Sequence, residues 1–155
     1  FCDTTDTEIL DQVLNGYDRE APDFYRWEVA YTPAELSSLI ARRSGVDFGD
    51  IEELRPLTSG ESGRIVRLLV RGSRRTMVVG KELEIRRWLS ESHLRSSNFE
   101  VTRDADGRFI LRGRGWGHGV GLCQIGAAVM GAKGYSAREI LQHYFPKSIL
   151  TKIYE

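Results

Sequence analysis

The sequence predicts an α+β protein with a mostly antiparallel sheet, several short helices and a single compact domain. Three observations predict it: alternating hydrophobic residues in short segments, turn-forming residues between neighbouring segments, and capping motifs that start helices between them. The 155 residues are enough to bury a core. No internal repeat or low-complexity linker divides residues 1–155, which favours one domain over two.

Five helices are predicted, several of them from capping residues at the start or a glycine or proline at the end. Two of the starts are capping boxes, in which Thr32 pairs with Glu35 and Ser136 pairs with Glu139. The predicted helices are Thr5 or Asp6 to Asn15, Pro33 to about Arg43, Gly80 to Leu89, Cys123 to Lys133, and Ala137 to Phe145.

The predicted strands are rich in branched and aromatic residues. Arg71-Gly72-Ser73 is predicted to turn one pair of strands into a hairpin, and Asp104-Ala105-Asp106-Gly107 a second pair. The predicted strands are Tyr25–Tyr31, Ile51–Thr58, Arg64–Val70, Arg74–Val79, Asn98–Arg103, Arg108–Arg112 and, as a final strand, Ile149–Tyr154.

Composition excludes several classes of function. Lysine plus arginine and aspartate plus glutamate each number 22, so the chain has no net charge to attract nucleic acid, and we expect no nucleic-acid partner. No apolar run approaches the roughly 20 residues that span a bilayer, so no transmembrane segment is expected. The chain does not begin with methionine, and Phe1-Cys2-Asp3 resembles the interior of a longer protein. The lack of a signal segment therefore indicates nothing about location.

The most unusual feature is a glycine-rich segment, residues 113–124, with glycine at every second position from 113 to 121. Glycine loses more conformational entropy on folding than any other residue, so a run of glycines is costly. The pattern therefore indicates either that a ligand approaches the backbone closely or that the backbone adopts conformations that other residues rarely adopt. It leaves Trp116 and His118 projecting just before a helix. An indole beside an imidazole and the Gln124 carboxamide is typical of a group that reads sugars, by stacking and by directional hydrogen bonds.

Two other interpretations of this segment stay open. The glycines could mark closely packed backbones, with His118 hydrogen-bonded inside the core. A helix N-terminus there could bind an anion, although neither a G-x-G-x-x-G register nor a G-K-[ST] sequence is present.

Other chemistry is weakly supported by the sequence. His118 and Cys123 are five residues apart, and Cys2, His93 and His143 lack ligand spacing, so no zinc site built from this chain alone is expected. Cys123 is interpreted as a small buried residue at a helix start, and no residue identifies a base for it. Glu82, Glu84 and Glu91 are interpreted as a solvated helix face and cap. Ser96-Ser97-Asn98 is interpreted as a plain turn.

The segment from Gly113 to Ala127, with Gly134-Tyr135 and Ile140 to Phe145, resembles the signature of the SpoIID/LytB family. Residues 84–87 and 94–99 are similar to the family pattern that precedes it. So is the order of a strand with Trp27, a helix with Leu36 and Ile40, and then hairpins. Cys123 stands where many members carry serine, and Phe145 where many carry a second tyrosine.

The resemblance implies a role on bacterial cell-wall glycan in the cell envelope. Sporulation members are lytic transglycosylases of peptidoglycan, and LytB members enhance a cell-wall amidase. The family's catalytic acid lies in an upstream segment whose motifs do not occur here, so no catalytic residue is assigned and this chain alone is expected to be inactive. The expected glycan-strand contacts are Trp116, His118, Gly119, Gln124, Ser96 and Ser97. No cofactor is expected in this chain, because the zinc ligands of some members also lie upstream.

Overall fold

The computed structural model describes residues 1–14, 25–151 and 153. The chain separates into two compact units. We call residues 26–118 the sheet unit and residues 1–25 with 119–155 the helical unit. The described residues form helices together with two three-stranded antiparallel sheets, which confirms the predicted α+β class. That residues 1–155 form a single domain stays a prediction.

The elements follow the predicted order closely. The helices are α1 (Thr7–Leu14), α2 (Pro33–Ser44), α3 (Glu82–Trp88), α4 (Gln124–Ala132) and α5 (Ala137–Tyr144). The strands are β1 (Arg26–Tyr31), β2 (Ile51–Ser59), β3 (Ile65–Gly72), β4 (Thr76–Gly80), β5 (Phe99–Arg103) and β6 (Phe109–Arg114).

The sheet unit contains both sheets, in the strand orders β1-β6-β5 and β2-β3-β4. Gly113 on the central strand β6 pairs with Trp27 on β1 and with Phe99 on β5. A buried hydrophobic cluster fills this unit, with members from both sheets, α2, α3 and the loops. Its fully buried large side chains include Leu36, Ile40, Phe48, Ile65, Leu68, Ile85, Leu89, Phe109 and Leu111.

Both predicted capping boxes are confirmed. The Glu35 amide donates to Thr32 Oγ1 at 3.2 Å, and the Thr32 amide donates back to Glu35 Oε2 at 2.8 Å. Ser136 and Glu139 repeat this arrangement at 3.3 and 2.8 Å. Gly45 ends α2 with a φ of 72°, which is the left-handed conformation that favours glycine.

The first hairpin turns later than predicted. Strand β3 continues through Gly72, and the turn follows it, with the Gly72 amide donating to the Arg75 carbonyl at 2.8 Å. A Cβ on Gly72 would lie 2.3 Å from the Phe48 carbonyl oxygen. This glycine therefore serves a close backbone approach and not the turn itself.

The helical unit contains α1, α4 and α5. Of the two predicted caps for α1, Asp6 is the one used, because its Oδ1 accepts from the amides of Glu8 and Ile9 at 3.1 and 3.3 Å. The predicted end of that helix at Asn15 and Gly16 lies outside the described residues.

The predicted final strand over 149–154 is wrong for the residues that the structure describes there, which are 149–151 and 153. Ile149 and Ile153 are 91% and 87% exposed. A branched sequence forms a strand only where a neighbouring strand satisfies its backbone, and no pairing of this segment occurs among the described residues.

Candidate functional site

The glycine-rich segment begins inside the sheet unit, where Gly113 is required by packing. The Trp27 ring crosses the backbone of β6 at this position, and a Cβ on Gly113 would lie 2.0 Å from ring atom Cζ2. Trp27 is 8% exposed and contacts Phe99, with ring centres 6.1 Å apart. Only glycine lets the buried indole lie flat against the strand.

After β6 the chain needs glycine for a different reason. Gly115 and Gly117 have φ values of 74° and 73°, a left-handed conformation that costs other residues about 1–2 kcal/mol. No heavy atom lies within 4 Å of a Cβ built on Gly117, so its requirement is conformational and not steric. Trp116 lies between these two glycines.

Residues 95–98 hold this backbone from one side. The Arg114 amide donates to the Asn98 carbonyl at 3.0 Å, and the Gly117 amide donates to the Arg95 carbonyl at 2.8 Å. The Ser96 hydroxyl donates to the Arg114 carbonyl at 2.7 Å.

Two long side chains satisfy the remaining carbonyl groups. Trp27 Nε1 donates to the Gly115 carbonyl at 3.3 Å. The Arg64 guanidinium donates to the Gly117 carbonyl at 2.8 Å and to the Trp116 carbonyl at 3.0 Å. Every backbone carbonyl from residue 114 to residue 117 therefore accepts a hydrogen bond from the protein itself, which fixes this backbone without a ligand. We call residues 113–118 the ribbon.

The ribbon presents Trp116 at the surface. Its side chain is 50% exposed, which is unusual for a residue that normally buries a large area. The guanidinium carbon of Arg95 lies 5.7 Å from the centre of the indole ring, within the range of a cation–π contact. A fixed backbone and this neighbouring cation together restrict where the indole can point.

His118, the last residue of the sheet unit, is exposed. The interpretation that makes it a hydrogen-bonding residue inside the core is therefore wrong. Trp27, Ser96 and Arg64 donate side-chain hydrogen bonds that hold the ribbon.

Ser96 and Ser97 lie in the segment 95–98 that holds the ribbon, but their side chains are fully buried. A hydroxyl with no exposed surface cannot touch a polymer in solution, so the expectation that they contact glycan needs correction. Ser96 instead holds the ribbon through the Arg114 carbonyl and accepts from the Asn98 amide at 3.2 Å.

Gly119 and Gln124 belong to the helical unit. Gly119 has a φ of 68°, and Gln124 is the exposed first residue of α4. Cys123 precedes it as the N-cap at the predicted helix start, half-buried where the sequence predicted a buried residue, with its sulfur accepting from the Gly126 amide at 3.4 Å. The assignment of Gly119 and Gln124 to glycan binding stays a prediction from the sequence.

The acidic residues near α3 are each paired with an arginine. Glu82 contacts Arg86 at 3.4 Å and Glu84 contacts Arg87 at 2.8 Å, while Glu91 pairs with Arg42. Glu82 differs from the prediction of a solvated face, because only 19% of its side chain is exposed. Each carboxylate has a cationic partner, which fits a structural role better than a glycosidase pair.

In the part of the chain that the structure describes, no three histidine, cysteine or acidic side chains lie close enough together to hold a metal ion. Within the same residues, no helix combines the length and the apolar character that crossing a bilayer demands.

A family model described as a domain of unknown function, DUF8618, matches residues 1–121, which include the whole sheet unit and the ribbon. The chain belongs to this family. The match covers the strands and loops that hold Trp116 and His118.

The chain is also similar in sequence to proteins with assigned names. Stage II sporulation protein D of Bacillus amyloliquefaciens is 28% identical over 142 residues, which are 92% of this chain and 38% of that protein. The protein of the same name from Bacillus subtilis (strain 168) matches with the same identity and coverage. The amidase enhancer of Bacillus subtilis is 32% identical over 68 residues, which are 44% of this chain and 10% of that protein. These similarities confirm the resemblance to the SpoIID/LytB family, and the chain spans well under half the length of these relatives.

Sequence reasoning missed the residues that hold the ribbon. Arg64 lies 53 positions before the carbonyl that it contacts, and Trp27 lies 88 positions before its own partner. Periodicity reports only local neighbours, so neither contact leaves a local signal. The single available sign was that Trp27 lies on a predicted strand and that Gly113 directly follows the predicted strand Arg108–Arg112.

Proposed function

We propose that this chain binds peptidoglycan glycan strands through the ribbon, as part of a lytic-transglycosylase-like protein that acts in the cell envelope. The observation that carries the proposal is a half-exposed Trp116 on a backbone that is already fixed. Sugar rings present apolar C–H faces that stack on an indole, and their hydroxyl and N-acetyl groups accept directional hydrogen bonds. A site that needs no reordering loses little affinity to entropy.

His118 supplies the polar part of this proposal. The exposed imidazole follows Trp116 by two residues and has both a donor and an acceptor in its neutral form. Gly119 and Gln124 remain in the proposal from their places in the sequence. No cofactor is needed for binding of this kind.

Binding of chito-oligosaccharides to the purified chain tests the proposal. We expect Trp116→Ala to weaken binding about tenfold or more, which corresponds to about 1.4 kcal/mol, the scale of one aromatic contact. His118→Ala weakens it less, and Trp116→Phe retains part of it because a ring face remains. Titration calorimetry or ligand-observed NMR measures the affinity, and the thermal midpoint is recorded for each variant.

Leu83→Ala is a matched control, because Leu83 is 49% exposed on α3 of the same unit. It should change neither affinity nor midpoint by much. Unchanged binding by Trp116→Ala with the fold intact would contradict the proposal. A midpoint that falls by several degrees for Trp116→Ala, but not for Leu83→Ala, would show a structural role for the indole.

The second candidate is a non-catalytic module that binds the cell wall or enhances an amidase. The similarity to an amidase enhancer favours it. Peptidoglycan hydrolysis by a purified cell-wall amidase, measured with and without the chain, separates the candidates. A rate increase that Trp116→Ala abolishes would support the second one.

Catalysis by the 155 residues alone is not expected under either candidate. General acid catalysis contributes roughly 10²–10⁴-fold, and the family's acid motifs do not occur in this sequence. We expect no release of anhydro-muropeptides from denuded peptidoglycan above background, as measured by chromatography of the soluble products. Robust turnover would place a catalytic group within the chain, and Glu82, Glu84 and Glu91 would be substituted next.

A further inference from the structure

Two thiols from distant parts of the sequence meet in the helical unit. Cys2 and Cys123 are 121 positions apart, yet their sulfurs lie 2.7 Å from each other, with Cys2 donating a hydrogen bond to Cys123. We propose that Cys2 and Cys123 are a redox pair that closes to an intramolecular disulfide by exchange with a small-molecule or protein disulfide. The resulting bond links residues 1–3 covalently to the start of α4.

The structure provides a shaped place for Cys2. A Cβ on Gly126 would lie 3.0 Å from Cys2 Sγ and 2.1 Å from the Tyr144 hydroxyl oxygen. The absence of a side chain at 126 therefore makes room for both groups on α4.

Phe1, the residue before Cys2, also packs on residues of the helical unit. The Phe1 ring packs edge-to-face on Tyr135 and on His143, with centroid distances of 5.8 and 5.5 Å. The Lys133 ammonium lies 5.4 Å from the centre of that ring. Contacts at Phe1 and at the thiol itself thus position Cys2 beside Cys123.

Cys123 is the better nucleophile of the two. It caps α4, where the helix dipole and the exposed amides favour a negative charge. The hydrogen bond from Cys2 and the amides of Gly126 and Ile125 lower the pKa of Cys123 to about 6, against the opposing effect of burial. The same hydrogen bond, with burial, raises the pKa of Cys2. At neutral pH the pair therefore has one thiolate that attacks and one thiol that still carries its proton.

The chemistry balances with a disulfide as the oxidant. The Cys123 thiolate attacks one sulfur of the external disulfide, forms a mixed disulfide and releases the first thiolate. Cys2 then loses its proton and attacks Cys123 Sγ, which forms the Cys2–Cys123 bond and releases the second thiolate. The two protein sulfurs lose two electrons, and the external disulfide gains them as it becomes two thiols.

Little movement is needed to complete the bond. A disulfide requires its sulfurs to approach to about 2.05 Å, so they must move together by less than about 1 Å. A thiol-bound metal is the competing use of such a pair. Among the residues that the structure describes, no third histidine, cysteine or acidic side chain joins the two thiols, which favours the disulfide.

Oxidised glutathione added to the reduced 155-residue chain tests the proposal, followed by alkylation and intact-mass measurement. We expect both thiols to disappear, and the mass to fall by two hydrogen atoms with no glutathione attached. In Cys2→Ser the reaction stops at a mixed disulfide between glutathione and Cys123. The oxidised chain should also melt about 5–10 °C above the reduced chain, since the bond closes a long loop, while Cys2→Ser shows no such rise.

Several results would overturn the proposal. These are two thiols that stay alkylatable, a stable glutathione adduct in the unmodified chain, a disulfide between two chains, or one equivalent of zinc that protects both thiols. The melting comparison uses the same unmodified chain in two states, so it does not depend on whether a variant folds. Sugar binding has no part in the test, and the outcome is independent of the proposed function.

Discussion

The start of the glycine-rich segment, at Gly113, and the rest of it, from Gly115 to Gly121, meet different physical demands. In the sheet unit, Gly113 makes room for a buried indole, and the backbone that follows it is bonded at each carbonyl from 114 to 117. In the helical unit, Gly119 and Gly121 have φ values of 68° and 83°, while Val120 and Leu122 are 76% and 39% exposed. The alternating glycines of residues 113–121 thus serve close packing at one position and left-handed backbone conformations at others. No single reason accounts for glycine at all five positions.

The strongest test of this difference compares alanine at Gly113 with alanine at Gly117. A methyl group at Gly113 would overlap the Trp27 ring at 2.0–2.5 Å, and we expect a loss of about 3 kcal/mol in the free energy of unfolding. Alanine at Gly117 meets no atom within 4 Å and costs only its left-handed conformation, about 1 kcal/mol. Urea denaturation measures both values.

Tryptophan fluorescence is a suitable signal, because all three tryptophans lie in the sheet unit. Equal losses at the two positions would show that packing of Trp27 is not what requires glycine at 113. A smaller loss at 113 than at 117 would reverse the explanation. The double substitution Gly113→Ala with Trp27→Leu should recover part of the stability if the ring overlap is the cause.

The helical unit offers the same comparison on one helix. Gly126 is buried, and a Cβ there would lie 2.1 Å from the Tyr144 hydroxyl, whereas a Cβ on Gly131 meets nothing within 4 Å. We expect Gly126→Ala to destabilise the unit by about 1–3 kcal/mol through overpacking, and Gly131→Ala to stabilise it by up to about 1 kcal/mol through helix propensity. Far-UV circular dichroism during thermal unfolding reports both.

Gly126→Ala carries a second consequence. Because the added methyl also approaches Cys2 Sγ, the variant should form the Cys2–Cys123 disulfide more slowly than Gly131→Ala does. Identical oxidation rates would indicate that Gly126 does not shape the place of Cys2.

The local parts of this fold could be predicted from sequence, and the long-range parts could not. Thr32 with Glu35 and Ser136 with Glu139 act over three residues, so the motif alone specifies the contact. The Asp104–Gly107 turn was equally local, and Gly107 has the expected positive φ of 76°. Such features depend on the backbone within a single turn.

Two errors and one contact that the sequence did not indicate share the opposite cause. The final strand needed a partner strand, the burial of Ser96 and Ser97 depended on the tertiary fold around them, and the Cys2–Cys123 contact joins residues at opposite ends of the chain. For the candidate site, the sequence identified the surface residues Trp116 and His118. It could not identify Arg64 and Trp27, which hold them from distant positions.

The smallest expected effect compares one motif in two surroundings. Helix α2 buries Leu36, Leu39 and Ile40 in the sheet unit, whereas α5 buries no residue completely. Removal of the cap hydroxyl costs about 1 kcal/mol in either helix, so Thr32→Ala and Ser136→Ala are matched substitutions. In α2 the loss should lower global stability, because that helix cannot open without exposing the core.

In α5 the same loss should appear as local opening, with amide hydrogen exchange in residues 137–144 about fivefold faster and the thermal midpoint almost unchanged. The Ser136 hydroxyl and amide lower the pKa of Glu139 below its ordinary 4.5. A carboxyl group whose pKa is lowered on folding stabilises the folded form at pH values above its ordinary pKa. In the unmodified chain, the protection of α5 amides from hydrogen exchange should therefore decline as the pH falls below 4.5. A midpoint that drops equally in both variants would show that α5 unfolds only with its whole unit, and that its exposed surface does not make it independent.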